Sequence, residues 1–214
     1  VSLGHDYWDE MKDRLKRIFS STDDRIPTYY PQLDDYFNGG LPPKSLTVGV
    51  ARIHFGKSQL MANIAARQVL HGHNVAVASL EMSEDMFSQR FDGIYSNLDI
   101  NRIYHNTKVR KDFLNRITDV RKNPEKGKLF IKEYPTGAAT INDFNIWLRE
   151  LEMRGNKPDI FYFDYISLVK NMGKEKGLYE DKKAIAEQAR ALGYYYNIPV
   201  VSVSQINRSG SFLP

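Results

Sequence analysis

The order of apolar segments predicts an α/β protein, a mostly parallel twisted sheet covered by helices on both faces. Three observations predict it. From residue 26 onward, short β-prone runs alternate with amphipathic helical patterns. The runs are apolar at consecutive positions rather than at every second one, as strands buried on both faces must be. One of them, at 46–50, leads through a Gly-Lys-Ser sequence into a helical pattern, the strand–loop–helix order of a phosphate-binding unit.

The elements follow in order. Residues 6–19 carry Trp8, Met11, Leu15 and Ile18 at spacings of three and four, which predicts a helix. A polar linker to Arg25 separates it from the rest, so its apolar stripe is buried either on its own domain or on a neighbouring subunit. The strand at 46–50 precedes a helix from Lys57, with Leu60, Ile64 and Val69 on one face. A second apolar strand spans 75–80. Ser83 then caps a helix running to about Tyr95, with Met86, Phe87, Ile94 and Tyr95 apolar. A basic helix is predicted over 108–122 and a short strand over 129–131. Thr140 and Asp143 resemble a capping box ahead of a helix with Phe144, Trp147, Leu148 and Leu151. Residues 160–163 form a strand ending in Asp164. A Lys/Gly loop, 170–177, leads to a long helix through Ile185, Ala189 and Leu192, and a last strand at 199–203 ends in Ser204-Gln205. Tyr194, Tyr195 and Tyr196, at a helix end before Pro199, are expected to pack rather than to stack on bases.

Composition bounds the class. A chain of 214 residues with 42% hydrophobic residues, 13 Tyr and 11 Phe is a folded domain with an appendage, not a disordered segment. No apolar run reaches the length of a membrane-spanning helix. The absence of Cys excludes disulfide scaffolds, thiolate metal sites and cysteine nucleophiles, and is compatible with a reducing cytoplasm. The charged first segment is no signal peptide. The chain starts at Val1 and stops at Leu213-Pro214 with no element to close on, which reads as a fragment. Thirty Lys and Arg against 26 Asp and Glu give a net charge of +4. Residues 102–132 alone hold ten Lys and Arg against three acids, either a solvated helix face or a contact for a polyanion.

The chemistry concentrates in Ala51-Arg52-Ile53-His54-Phe55-Gly56-Lys57-Ser58. Such a loop turns backbone N–H groups onto phosphate oxygens. Gly56 brings the backbone close to the anion, Lys57 places a cation on the β- and γ-phosphates, and the Ser58 hydroxyl is a hard ligand for Mg²⁺. The first glycine of the general pattern is replaced by Ala51, so an accidental Gly-Lys-Ser at a helix start is the alternative. His54 reads as a loop side chain without an oriented acid partner. Asp164, after four apolar residues, suits the second Mg²⁺ ligand, or else a strand-end cap. Glu81, in Ser79-Leu80-Glu81-Met82, is placed to polarise an attacking water, and Gln205 to sense the γ-phosphate. In a parallel sheet all of these converge on one crevice.

Taken together these motifs resemble the motor domain of DnaB-type replicative helicases, RecA-like P-loop NTPases, over residues 26–210. Ala51-Arg52 with Gly56-Lys57-Ser58 is similar to the family's phosphate loop, so Ala51 departs from the general pattern and not from the family. Ser79-Leu80-Glu81-Met82, Asp164-Tyr165 and Ser204-Gln205-Ile206-Asn207-Arg208 resemble its later motifs. Ile26-Pro27-Thr28 and Phe37-Asn38-Gly39-Gly40-Leu41 resemble its opening, and Tyr134-Pro135-Thr136-Gly137 is similar to the variant of large tailed phages.

The resemblance implies ATP and Mg²⁺ as cofactors. Ala51, Arg52, Phe55, Gly56, Lys57, Ser58 and Gln59 would bind the nucleotide, Ser58 and Asp164 the metal. Lys57, Glu81 and Gln205 would be catalytic. It implies a homo-hexameric ring on single-stranded DNA, gripped by Lys170, Lys174, Lys176 and Arg208, with residues 1–25 as a linker helix docked on the adjacent subunit and 26–214 as the ATPase core. Primase and a helicase loader are the further partners implied, in the cytoplasm of a cell or of a phage's host. The family's arginine finger lies beyond residue 214. Such a finger is worth on the order of 10³–10⁵ in rate in related GTPases, so this chain alone is expected to bind ATP and turn it over slowly. A recombinase filament and a non-unwinding assembly module are the competing functions.

Overall fold

The structure, a computed structural model, describes residues 6–20, 24–52, 55–171 and 177–205. Helix α1 (Met11–Ser20) and the short α2 (Pro31–Tyr36) precede strand β1 (Leu46–Ala51) and helix α3 (Lys57–Leu70). Next come β2 (Val75–Ser79), α4 (Glu84–Ser96), α5 (Ile100–His105) and α6 (Thr107–Lys122). The chain continues with β3 (Leu129–Glu133), α7 (Ile141–Met153), β4 (Ile160–Asp164), α8 (Leu178–Tyr196) and β5 (Val200–Gln205).

Among the described residues the sheet has five strands, all parallel, in the order β1-β5-β4-β2-β3. Parallel neighbours need crossover connections, and these place helices on both faces. Strand alternation then sorts one apolar sequence into two cores. Ala76, Ala78, Phe161, Phe163 and Val200 meet Phe144, Trp147 and Leu148 of α7 and Ile185, Ala189 and Leu192 of α8. Val75, Val77, Ile160, Tyr162, Val201 and Val203 meet Met61, Ala65, Phe87 and Phe91 of α3 and α4. The buried Tyr162 hydroxyl donates to Gln68 Oε1 at 2.6 Å, and Gln68 Nε2 donates to the Pro27 carbonyl at 2.9 Å, which satisfies both polar groups inside the core.

Local chemistry sets the element ends. Ser83 Oγ accepts from the Met86 N–H, and Thr140 and Asp143 form a reciprocal capping box, each worth about 1 kcal/mol. Ile26 and Leu41 exchange backbone hydrogen bonds of 3.0 and 2.8 Å, closing the segment that leads into the sheet. Gly40 permits it: at φ +137° it lies so close that a Cβ would stand 2.5 Å from the Ile26 carbonyl oxygen.

The structure departs from the sequence expectation in places. The regular first helix begins at Met11, not at residue 6; residues 7–10 form a turn ahead of it, in which Asp6 Oδ1 accepts from the N–H groups of Trp8 and Asp9. The basic helix stands where expected, as α6, but an unexpected short helix, α5, precedes it; Asn106 ends α5 and caps α6 through the N–H groups of Lys108 and Val109. β5 extends through Ser204 and Gln205. Leu60 and Met86, assigned to apolar faces, are exposed. Of the three tyrosines only Tyr196 is buried, its hydroxyl donating to the Asn145 carbonyl at 3.0 Å, while Tyr194 and Tyr195 are exposed. Three consecutive residues sweep roughly 200° of a helix, so one can face the core and its neighbours cannot. On α1, Met11, Leu15 and Ile18 are exposed, with Trp8 before it at 75%.

Candidate active site

Parallel strands share an end. Ser79 of β2 is in register with Asp164 of β4, and Ala51 of β1 with Gln205 of β5. A cleft of about 320 Å³ opens at that edge. Lys57, Ser58, Glu81, Asp164 and Gln205, dispersed over the sequence, all line it, with Gly56 and Gln59 beside them.

One wall is the phosphate loop. Gly56 is the N-cap of α3 at φ +70° and ψ 25°. Nothing lies within 4 Å of the position a Cβ would take, so this glycine is needed for its left-handed backbone and not for room. The turn aims the unpaired N–H groups of α3's first turn, and the positive end of its dipole, at the cleft. Lys57 Nζ donates to the Arg52 carbonyl at 2.9 Å.

The other wall carries the acids. After β2 the Ser79 hydroxyl donates to the Met82 carbonyl at 2.6 Å and accepts from the Met82 N–H at 3.1 Å, a tight turn with Glu81 at its exposed tip. Neighbouring strand ends hold that turn: the Leu80 N–H donates to the Asp164 carbonyl, and the Tyr134 N–H to the Ser79 carbonyl. The Thr136 hydroxyl donates to the Leu80 carbonyl at 2.5 Å.

Asp164 is 1% exposed. Burial raises its pKa, and Glu81 pushes the same way; a hydrogen bond from Ser58 and the cations Arg90 and Lys57 pull it down. Its Oδ1 is buried with no hydrogen-bond partner among the described residues. An orphaned carboxylate oxygen beside a serine hydroxyl is a donor set that fits Mg²⁺, which takes one or two protein oxygens and fills its octahedron with phosphates and water. Among the described residues no group of three His, Asp or Glu could hold a metal without such help.

Met82, Arg90 and Tyr165 complete the lining, and sequence reasoning missed them. The Arg90 guanidinium donates to Gln59 Oε1 at 3.5 Å and to Met82 Sδ at 3.1 Å. A signal existed: Arg90 falls on the stripe of Phe87, Phe91 and Ile94, and a cation on a buried stripe requires a partner. Of the other nucleotide candidates, Ala51 and Phe55 line an apolar groove of about 270 Å³ between β1, α2 and α3, and Arg52 is exposed. Lys170 is exposed beyond the 3₁₀ turn Ile166–Leu168, its N–H on the Ala139 carbonyl at 2.8 Å. His54, Lys174, Lys176 and Arg208 lie outside the described residues.

Comparisons with known proteins follow the same pattern. A DnaB-like replicative helicase of Enterobacteria phage T4 is 28% identical over 210 residues, 96% of this chain and 44% of that protein. The replicative DNA helicase DnaB of Helicobacter pylori (strain 26695) is 27% identical over 184 residues, 86% of this chain and 37% of that protein. The chain thus spans less than half the length of these relatives. Among solved structures, the ATPase domain of G40P superposes with a TM-score of 0.76 at 17% identity, over 96% of this chain and 73% of that one. A DnaB-like replicative helicase, solved in a study of its interactions with primase, gives 0.78 at 16% identity, over 97% and 50%. Both share the fold. Residues 25–211, from the lead-in through both walls of the cleft, match the model of the DnaB-like helicase C-terminal domain, and the chain belongs to that family.

Proposed function

We propose that this chain is the motor domain of an ATP-dependent replicative DNA helicase. In this reading it hydrolyses ATP with Mg²⁺, moves along single-stranded DNA and parts the duplex as a hexameric ring. The observation that supports this most is the convergence of Lys57, Ser58, Glu81, Asp164 and Gln205 on one cleft.

Each residue has a task there. Lys57 exchanges the Arg52 carbonyl for the β- and γ-phosphates, and the first N–H groups of α3 bind the same oxygens. Ser58 and Asp164 hold Mg²⁺, which supplies charge neutralisation on those phosphates. Glu81 orients the attacking water and accepts its proton. Arg90 balances the two acids. Gln205, at the last residue of β5, contacts the γ-phosphate and carries its presence to the segment that follows. A cation from the adjacent subunit completes the site.

The exposed stripe of α1 supports residues 1–25 as the arm that docks on that subunit. Lys170, with Lys174, Lys176 and Arg208, contacts the DNA backbone. Primase and a loader act on the assembly in the cytoplasm, that of the host if the source is a phage. Among the described residues no helix is long and apolar enough to cross a membrane.

Nucleotide binding and turnover, with and without single-stranded DNA, test this reading. Lys57→Ala loses a charged phosphate contact and weakens ATP binding roughly ten- to a hundredfold. Glu81→Gln keeps affinity and lowers turnover by about 10² or more. ATP affinity unchanged in the first, or turnover unchanged in the second, sinks the reading.

A further inference from the structure

The positive charge of this protein sits in one place. Residues 102–132 hold ten Lys and Arg against three acids, and the remaining 183 residues hold twenty against twenty-three. The net charge of +4 therefore comes wholly from a segment that is net positive by seven. Most of that segment is α5 and α6. No residue of α6 is fully buried. Val109, Phe113, Ile117 and Val120 form its half-buried side, and it packs mainly on α4 and α5. Arg116 anchors it there, donating to the Ser96 carbonyl at 2.7 Å.

Lys108, Lys111 and Lys122 lie across α6 from that side and Arg121 on its flank, all exposed. Among the described residues none of these four is ion-paired. Asp112 and Asp119, seven residues apart, share one flank of the helix and leave the centre of the face cationic; Glu125 follows in the turn beyond. Ser96 is the last residue of α4, whose first turn follows Glu81. Thirteen helical residues separate these ends by about 20 Å, so the face stands apart from the nucleotide cleft.

We propose that this face of α6 is a second binding surface for nucleic acid, one that holds the phosphate backbone of a single strand outside the catalytic cleft. The four cations spread over some 21 Å of helix, a length that suits a repeating line of phosphates better than one acidic patch. The only large apolar side chain exposed among residues 102–132 that the structure describes is Leu114. A protein partner centres on a cluster of buried aromatic or aliphatic anchors, and this face offers no such cluster. Lysines and an arginine on a convex helix bind backbone without reading sequence. A motor that parts a duplex leaves a second strand outside its path, and this surface suits that strand. The binding itself does not depend on ATP chemistry, so it stands or falls separately from the turnover experiment above.

The test uses the chain as it is, with a fluorescent twenty-nucleotide oligo-dT as probe and no ATP. Binding is followed by anisotropy from about 50 to 200 mM salt for the parent chain and for K108A/K111A/R121A/K122A. Each single-strand phosphate contact contributes roughly 0.7 to the slope of log affinity on log salt, so the variant is expected to show a slope shallower by about 2 to 3 and affinity about tenfold weaker at low salt. In parallel the parent chain is acetylated with and without oligo-dT. Lys108, Lys111 and Lys122 should be protected several-fold and Lys157, which pairs with Glu152, should not. Unchanged slope and affinity in a variant that melts like the parent overturns the proposal. So does absence of protection, which needs no variant to fold. Protection by polyglutamate but not by oligo-dT overturns it too, and assigns the face to an acidic protein.

Discussion

Asp164 and Glu81 stand at the ends of β4 and β2, strands buried at every residue, with the turn of Glu81 tied to a neighbouring carbonyl, an N–H and a hydroxyl. The phosphate loop across the cleft leaves β1, the edge strand, where Gly49 and Val50 are exposed and β5 is the only pairing partner among the described residues. Two groups that meet the same triphosphate in the proposed mechanism thus rest on different supports. The acids inherit their position from the core. The loop takes its position from one left-handed glycine and from Lys57 folded onto the Arg52 carbonyl. In the proposed mechanism the acid wall is thus preorganised, as charge stabilisation in a transition state requires.

Truncation of one residue on each support is the most forceful way to break this comparison. Phe163 is fully buried and packs on Phe144 and Phe161 with ring centroids 5.5 and 5.8 Å away. Phe163→Ala should cost about 3–5 kcal/mol in chemical denaturation. Val50→Ala on β1, where the side chain is 57% exposed, should stay within about 0.5 kcal/mol. Similar losses at both sites would mean that β1 is as firmly supported as β4.

The loop wall is sharpened by Gly56→Ala. An alanine there meets no steric obstacle but must hold φ at +70°, at a cost of about 1–2 kcal/mol. Expected are a modest loss in denaturation and a clear loss of ATP affinity, because the strain is relieved by turning the first N–H groups of α3 away from the cleft. Affinity unchanged by the substitution would show that the loop's geometry does not hang on this residue.

How far these walls could be read in the sequence follows from their construction. Strands dominated by consecutive apolar residues have one stable place, the middle of a covered sheet, so β2, β4 and the Val200–Val203 part of β5 were legible, and with them the shared edge for Glu81, Asp164 and Gln205. The Ser83 cap, the Thr140–Asp143 capping box and the Gly-Lys-Ser turn act within four residues and were equally plain. What escaped depends on partners remote in sequence. Arg90 reaches the cleft only because α4 packs beside α3. The six-residue helices α2 and α5 have no periodicity to detect and are set by Pro31 and by the Asp99 cap on the Asn101 N–H. The break between α5 and α6 comes from Asn106, through a side-chain cap that any Asn offers and few positions use.

Thr136 carries the subtlest prediction of the three. It belongs to Tyr134-Pro135-Thr136-Gly137, and its hydroxyl crosses 56 residues of sequence to the Leu80 carbonyl, the residue before Glu81. Thr136 does not itself line the cleft, so an effect on catalysis is expected to pass through the turn that aims Glu81. Thr136→Val keeps the shape and removes the donor, a loss of about 1 kcal/mol, which is roughly fivefold if it falls on the transition state alone. Steady-state ATPase assays should then show kcat reduced several-fold with KM for ATP unchanged, since Lys57 and Ser58 keep their places, and Thr136→Ser should restore it. A variant that melts lower yet keeps kcat would reduce Thr136 to ordinary loop packing. Glu81 would then be held by the Ser79–Met82 turn together with the backbone bonds of Leu80 to Asp164 and of Tyr134 to Ser79, and the firmness of the acid wall would owe nothing to the Thr136 side chain.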